Sequence, residues 1–296
     1  MKNTKKKIQS LKKMKREKNF IFTTYERLGE EEDGIVLQAE LMRKQIKVVM
    51  MKSWSNVLVV GSSETGTTQD FINPTVRVLM RTKTKPSMII TDKNGRLYHD
   101  NAIAFAKSGY KILRIDFDKP LPNLDLCSIY EEPTVIFIRI SLEIECEHSA
   151  LFSSFITNIY NSLKDKIKLD FDNDKESYDL KRRIYFLLDE FGSLPTINDM
   201  VGKLKFCVRS RAIKFMLVVK CYEQLTIRYG EEDADAIKKL CWTRAYFDNS
   251  DFSVEMKQLG YGIERGKVLL SLPNTALYES RFTPAYQYND IIESTK

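Results

Sequence analysis

Short apolar runs separated by polar or glycine-containing segments dominate the chain. Runs rich in Val, Ile and Phe, such as those at 56–60, 134–140 and 214–219, are typical of strands buried on both faces of a parallel sheet. Predicted strands occupy 34–37, 47–51, 56–60, 87–91, 110–117, 134–140, 184–191, 214–219, 244–247 and 268–271. One predicted helix begins near residue 69, and a second, after the turn at 92–95, ends near residue 107. Further predicted helices occupy 147–166, 198–209, 223–229, 233–240 and 252–259. This alternation predicts an α/β fold, a largely parallel twisted sheet with helices on both faces.

Composition narrows the class of protein further. Of the 296 residues, 43% are hydrophobic and 29% are charged, which favours a folded core over global disorder. No apolar run reaches the roughly 18 residues of a membrane helix, and no secretory signal is visible. The five cysteines and two histidines lack zinc-ligand spacing, and reduced cytosolic thiols are the expectation.

Basic residues are concentrated at the N-terminus. Residues 1–18 contain nine Lys or Arg and one acid, whereas the remainder contains 47−9=38 basic and 40−1=39 acidic residues. The sequence therefore predicts a basic flexible arm over 1–33, a nucleotide-binding domain over 34–290 and a tail over 291–296. Such an arm suits contact with nucleic acid or an anionic membrane face, and a merely solvated arm is equally consistent with it.

The most informative stretch is the apolar run 184–188, which leads directly into Asp189 and Glu190. Open α/β sheets bind ligands at the carboxyl ends of their strands, where this acidic pair is expected. The first carboxylate is placed to hold Mg²⁺ and the second to polarise an attacking water, as in a Walker B strand. An acidic strand end without a ligand is the alternative interpretation.

A glycine loop follows the predicted strand 56–60. Residues 61–68 keep the spacing G-x-x-x-x-G-x-[ST], with Gly61 and Gly66 as the glycines and Thr68 as the hydroxyl expected on Mg²⁺. Thr67 stands where a phosphate-binding lysine is expected. Loss of that charge-assisted contact costs on the order of 1.5–3 kcal/mol. A glycine turn that only caps a helix is the competing interpretation.

The order of these motifs resembles the cytoplasmic motor domain of type IV secretion coupling proteins, the TraG/TraD conjugation family. The resemblance covers about 34–285 and rests on five segments: the strand and glycine loop at 56–68, Ile90–Tyr98, Leu187–Pro195, Arg209–Arg211 and Gln224–Gly230. Two features of the family have no counterpart here. These are its membrane-spanning N-terminus and the helical domain inserted after the strand near 110–117.

The resemblance implies a RecA-like P-loop ATPase core that binds ATP and Mg²⁺ and pumps DNA to a secretion channel. It implies cofactor contacts at Gly61, Gly66, Thr67 and Thr68, and metal contacts at Thr68 and Asp189. Expected partners are DNA, further copies in a hexamer or intact coupling proteins, and relaxase or channel proteins. The expected location is cytoplasmic, at most peripheral to the inner face of the cell membrane.

The catalytic expectations concern four residues. Glu190 is expected to position water. Lys220 replaces the family's sensor glutamine, and we expect it to restore from a neighbouring strand the positive charge lost at Thr67. Arg209 and Arg211 match the family's Arg-Ser-Arg and are candidate arginine fingers across a subunit boundary. Surface ion pairs for the arginines and an exposed strand-end lysine are the alternatives.

Two functions follow from these patterns. One is a DNA-translocating ATPase of the coupling-protein type, which the retained Asp189 and Glu190 favour. The other is a non-hydrolysing relative that binds nucleotide or DNA, or associates with an intact coupling protein, which Thr67 and Glu64 favour. The sequence leaves the choice between turnover and binding open.

Overall fold

The computed structural model describes residues 8–52, 55–61, 66–122, 124–126, 128–140, 147–173, 182–210, 212–247, 267–273 and 277–288. The strands are β1 Gln9–Ser10, β2 Phe20–Thr24, β3 Ile35–Met42, β4 Gln45–Met51, β5 Val57–Val60, β6 Ser87–Thr91, β7 Lys111–Asp116, β8 Thr134–Arg139, β9 Ile184–Leu188, β10 Ile213–Val219, β11 Thr243–Tyr246, β12 Lys267–Ser271 and β13 Leu277–Arg281. The helices are α1 Asn73–Leu79, α2 Arg96–Lys107, α3 Ser128–Glu131, α4 Glu147–Asn173, α5 Met200–Ser210 and α6 Tyr222–Leu240. Four 3-10 helices (Leu11–Arg16, Tyr25–Glu30, Phe191–Ser193 and Ala285–Tyr288) and a π-helical turn (Thr68–Ile72) complete the regular structure.

A ten-stranded sheet organises the molecule, with the order β1-β13-β12-β11-β5-β10-β9-β6-β8-β7. All neighbouring strands are parallel except at the β11–β12 and β12–β13 pairs. Strand β10 lies between β5 and β9, so the strands that precede the glycine loop and the acidic pair are one strand apart. Their carboxyl ends meet at the same edge, which is where the sequence predicted a ligand.

The pleat of the central strands divides the core into two layers. In β5, Val57 and Val59 face one cluster, whereas Leu58 and Val60 face the other. The first cluster takes side chains from α1, α2 and a second, three-stranded antiparallel sheet, β2-β4-β3. The second cluster takes side chains from α3 to α6. Helices therefore cover both faces of the large sheet, which confirms the predicted fold class.

The predicted division at residue 33 differs from the structure. Residues 8–33 belong to the folded domain, because β1 pairs with β13 and β2 pairs with β4. The apolar stripe in the basic segment is used internally: Leu11 and Met14 are buried, while the lysines between and after them are exposed. Pairing of β1 with β13 holds this segment against the large sheet.

Most predicted elements are present at nearly their predicted bounds. The two helices predicted at 223–229 and 233–240 appear as one element, Tyr222–Leu240, with a break at Gly230, where φ is 78° and ψ is 167°. Strands β1, β2 and β13 were not predicted. The predicted helix at 252–259 lies outside the described residues. Within the described part of the chain, no helix combines the length and apolar character needed to cross a bilayer.

Candidate functional site

The glycine loop leaves the sheet at the carboxyl end of β5. The amide of Gly61 donates to the carbonyl of Val219 over 3.0 Å, which fixes the start of the loop beside β10. Gly66 has φ of 78°, a left-handed conformation that favours glycine. A Cβ added there would meet Asp70 Oδ2 at 2.8 Å. The loop's end is thus shaped for glycine, and residues 62–65 lie outside the described residues.

Thr68 and Asp189 form the central contact of the site. The Thr68 hydroxyl opens the π-helical turn and donates to Asp189 Oδ2 over 2.6 Å. The second carboxylate oxygen, Oδ1, accepts from the amide of Glu190 over 3.0 Å. The backbone carbonyl of Asp189 accepts from the Thr91 hydroxyl over 2.9 Å. The end of β6 and the segments that follow β5 and β9 therefore meet at Asp189, through its carboxylate and its backbone carbonyl.

Burial sets the electrostatics of this carboxylate. Loss of solvation raises the pKa of Asp189 to about 6, although the Thr68 hydrogen bond opposes the shift. A buried carboxylate with a raised pKa gains from a cation. Glu190 follows in a left-handed conformation, with φ of 51°, and its Oε2 lies 3.4 Å from Lys93 Nζ. Backbone strain at a non-glycine residue is typical of functional sites.

A cavity of about 400 Å³ collects these groups at the edge of the sheet. It is lined by seven residues that the sequence singled out, namely Gly61, Gly66, Thr67, Thr68, Asp189, Glu190 and Lys220. Sequence reasoning missed the roles of Lys93, Arg96 and Tyr286, which also line it. Lys93 lay within a segment quoted for the resemblance. Its position after a strand that neighbours β9 was the available signal.

Lys220 extends into this cavity from the end of β10. Its side chain is exposed, and its backbone amide donates to Gln224 Oε1 over 2.8 Å. Gln224 packs against Gly192, where an added Cβ would meet Oε1 at 2.3 Å. Gly192, in the turn that follows Glu190, therefore contacts Gln224, the side chain that accepts the hydrogen bond from the Lys220 amide. Lys220 and Thr67 line the same cavity, as the replacement hypothesis requires.

The two candidate arginine fingers lie elsewhere. Arg209 is exposed in the last turn of α5, which ends where β10 begins, at the edge opposite the cavity. Arg211 lies outside the described residues. Arg209 therefore does not reach the cavity of its own chain, and its role across a subunit boundary stays a prediction.

The donor set suits magnesium and a phosphate group. A hydroxyl and a carboxylate are oxygen ligands of the kind Mg²⁺ prefers, and Mg²⁺ typically takes only one or two protein carboxylates. Among the described residues there is no cluster of three or more acidic, His or Cys side chains able to hold a metal. Lys93, Arg96 and Lys220 supply positive charge around the same cavity.

Solved structures share this fold. The chain is similar to the plasmid coupling protein TrwB in complex with the non-hydrolysable ATP analogue ADPNP (TM-score 0.58, 11% identity, 94% of this chain and 93% of that chain). It is also similar to TrwB with ADP and Mg²⁺ (TM-score 0.57, 11% identity, 94% of each chain). The cytoplasmic domain of EssC is a further structural neighbour (TM-score 0.53, 12% identity, 94% of this chain and 47% of that chain). No curated protein matches the chain in sequence.

The sheet order, the glycine loop and the acidic pair define a RecA-like P-loop fold. Residues 183–257, from the start of β9 to beyond β11, match the family described as the TraM recognition site of TraD and TraG. Over these residues and in its fold, the chain is similar to type IV secretion coupling proteins.

Proposed function

We propose that this chain is an ATP- and magnesium-dependent subunit of a conjugative type IV secretion machine that binds DNA and helps move it to the transfer channel. The observation that carries the nucleotide part is the Thr68–Asp189 hydrogen bond of 2.6 Å, at a cavity that Lys93, Arg96 and Lys220 also line. A hydroxyl and a carboxylate held in contact at the end of a glycine loop form the magnesium side of a P-loop site.

Each lining residue has a distinct expected part. Thr68 and Asp189 hold Mg²⁺, and Gly61, Gly66 and Thr67 present backbone groups to phosphate oxygens. Glu190 accepts a hydrogen bond from the attacking water. Lys93 holds the Glu190 carboxylate in place while no water or phosphate competes for it. Bound Mg²⁺ supplies charge neutralisation at the phosphates.

Lys220 is proposed to replace the missing loop lysine. It lines the same cavity as Thr67 but is attached to β10, which neighbours β5 in the sheet. A flexible ammonium group at that position meets the γ-phosphate side of a bound nucleotide from the strand rather than from the loop. Arg209 and Arg211 are proposed to act on the nucleotide of an adjacent subunit in a ring.

The remaining parts of the proposal follow from the family. DNA, further copies of this chain or of an intact coupling protein, and relaxase or channel proteins are the proposed partners. The match of 183–257 to a TraM recognition site supports a protein-docking role for that region. The proposed location is the cytoplasm, with peripheral contact at the inner membrane face.

The deciding experiment measures Mg²⁺-dependent ATP binding and turnover with and without DNA. The full chain is compared with Glu190→Gln and Thr67→Lys. DNA-stimulated turnover that is abolished in Glu190→Gln supports the proposal. Binding without turnover in the wild type, with turnover restored by Thr67→Lys, limits the chain to nucleotide binding. Absence of ATP binding in all three proteins overturns the nucleotide proposal.

A further inference from the structure

A groove of about 780 Å³ lies away from the nucleotide cavity and shares no lining residue with it. Its floor is one face of the three-stranded sheet, with Phe22 from β2, Gln38 from β3 and Lys47 from β4. One wall is β1 with the following 3-10 helix, and the other is β13. The groove is therefore built by the residues 8–52 together with the edge of the large sheet.

Positive charge dominates the lining of this groove. Lys12, Lys15 and Lys47 are exposed there and make no ion pair with any described residue. Arg27 and Arg281 also line the groove. The first is paired with Glu30 over 3.0 Å, and the second lies 3.9 Å from Glu279 and 4.0 Å from Glu40. Three lysines from two elements thus remain available to an anionic ligand.

More basic sequence adjoins the groove. The hairpin between β3 and β4 adds the exposed Arg43 and Lys44. The described lysines of the groove and this hairpin therefore make one concave surface basic, which is the electrostatic footprint of a phosphate-rich partner.

The apolar residues of the basic segment are not available to a membrane. Leu11 and Met14 are buried, and the Tyr278 hydroxyl lies 3.8 Å from the Met14 sulfur. An interfacial amphipathic helix needs an exposed apolar face beside its basic face. The 3-10 helix Leu11–Arg16 exposes only its basic residues, so the charge serves a polar anionic partner better than a lipid surface.

An aromatic ring completes the groove. Phe22 is only partly buried, and it lines the groove on the face of the three-stranded sheet. Single-stranded nucleic acids bind where cations follow the phosphates and an aromatic ring stacks on a base. A duplex keeps its bases stacked inside and has no free base for a ring on the groove floor.

We propose that this groove binds single-stranded nucleic acid, with Lys12, Lys15 and Lys47 on phosphates and Phe22 stacked on a base. This groove is a DNA-contacting surface and rests on the proposed function. Binding of nucleic acid to it needs no ATP. It is therefore tested separately from the ATP site, whose integrity Mg²⁺-ATP binding reports.

The experiment measures binding of a labelled oligothymidine of about 15 nucleotides, at the upper end of site sizes for single-stranded binding folds. The full chain is compared with the triple variant Lys12→Gln/Lys15→Gln/Lys47→Gln. The control triple, Lys13→Gln/Arg16→Gln/Lys18→Gln, removes the same charge from exposed positions that do not line the groove. Circular dichroism and Mg²⁺-ATP binding check that each protein is folded.

We expect the groove triple to weaken binding at least tenfold and to reduce the slope of log K against log salt by about two, because three phosphate contacts are lost. The control triple should change the slope little. Phe22→Leu should weaken binding at least about fivefold, since stacking on an aromatic ring is lost. Phe20→Leu, on the same strand but outside the groove, should not.

Three outcomes would overturn the proposal. The first is wild-type protein that does not bind the oligonucleotide at low salt. The second is equal loss in both triples, which would mean that net charge and not the groove governs binding. The third is groove-dependent binding to phosphatidylglycerol vesicles, or to a duplex, in preference to the oligonucleotide.

Discussion

The hydroxyl of Thr68 donates a hydrogen bond to Asp189 Oδ2 over 2.6 Å, across 121 residues of sequence. The contact joins the end of the glycine loop to the strand that ends in the acidic pair, although β10 lies between their strands. It prepares two oxygen ligands before any ion arrives. Prearranged ligands reduce the ordering cost of binding, so both residues should affect magnesium more than nucleotide alone.

Replacement of Thr68 should distinguish an effect on magnesium binding from an effect on nucleotide binding. We expect Thr68→Ala to weaken Mg²⁺-ATP binding at least tenfold while ATP binding in EDTA changes little, because the hydroxyl that would hold Mg²⁺ is lost. Thr68→Ser keeps the hydroxyl and should stay within about threefold of wild type. Calorimetric titration with and without Mg²⁺ measures both. An equal loss in the two conditions would show that Thr68 acts on the phosphates or on folding.

The raised pKa of Asp189 predicts how magnesium binding depends on pH. The carboxylate must be ionised to hold Mg²⁺, and its pKa in the folded protein is about 6. Affinity for Mg²⁺-ATP should therefore fall about tenfold between pH 7 and pH 5. Asp189→Asn should bind weakly at both values. A wild-type affinity that is constant over this range would contradict the assignment.

The same shift has a consequence for stability. Because the folded protein holds this proton more tightly than the unfolded chain does, the cost of the ionised carboxylate appears as pH rises from about 4 through 6. Asp189→Asn removes that cost. Its free energy of unfolding should match wild type near pH 4 and exceed it at pH 7 by up to about 3 kcal/mol. Urea unfolding at the two pH values tests this.

Continuous apolar runs in the sequence allowed the central strands of the large sheet to be predicted. Strand β9 and, apart from the buried Lys214, strand β10 consist of apolar or aromatic residues because both of their faces are covered, and both strands were recognised. Strand β13, Leu-Tyr-Glu-Ser-Arg, has no such run and was missed, although Ser280 is buried. Its burial depends on pairing with β12 and on packing against β3, contacts that a local pattern does not record.

The site divides in the same way. The glycine loop and the acidic pair were found because their spacing is local in sequence. Lys93 was missed because its closeness to Glu190 arises from the pairing of β6 with β9, almost a hundred residues apart. Lys220 was found only through the resemblance. Side chains that act through sheet order are thus the least accessible to sequence reasoning.

Lys220 offers a direct test of the charge replacement. We expect Lys220→Met to weaken ATP binding at least tenfold and ADP binding much less, because the contact proposed for this cation is with the γ-phosphate. Lys220→Arg keeps the charge and should retain most of the affinity. Lys93→Met serves as the comparison, since Lys93 lines the same cavity. Equal losses for ATP and ADP in Lys220→Met would contradict the assignment.

Gly192 should influence Lys220 without touching the nucleotide. A methyl group there would lie 2.3 Å from Gln224 Oε1, the acceptor of the Lys220 amide. We therefore expect Gly192→Ala to reduce ATP affinity several-fold in a background where Lys220 is present. In Lys220→Met the same change should have little further effect, as coupled residues are not additive. A full double-mutant cycle in ATP affinity measures the coupling.

A buried charge cluster fixes residues 8–33 to the large sheet. Asp33 Oδ1 lies 2.7 Å from Arg183 Nη1, and its Oδ2 accepts from the Tyr185 hydroxyl over 2.6 Å. Lys214 Nζ donates to the same hydroxyl over 3.0 Å. Burial alone would raise the pKa of Asp33, but the charges of Lys214 and Arg183 and the hydrogen bonds outweigh it and lower the pKa.

Removal of the acid should be far more harmful than removal of the lysine. Asp33→Asn removes the buried carboxylate that Arg183 and Lys214 share and should cost about 3–5 kcal/mol in the free energy of unfolding. Lys214→Met leaves Asp33 paired with Arg183 and should be nearly neutral at pH 7. Urea unfolding measures both, and equal losses would contradict this account.

The two variants should also differ in pH dependence. Burial lowers the pKa of Lys214 to about 8, so the unfolded chain binds more protons between about pH 8 and 10.5. Wild-type protein should therefore gain stability relative to Lys214→Met as pH rises through that window. Asp33→Asn removes the carboxylate that favours the charged lysine, which lowers the Lys214 pKa further. The free energy of unfolding of Asp33→Asn should therefore begin to rise with pH below pH 8. A rise that begins at the same pH as in the wild-type protein would show that Asp33 and Lys214 are not coupled.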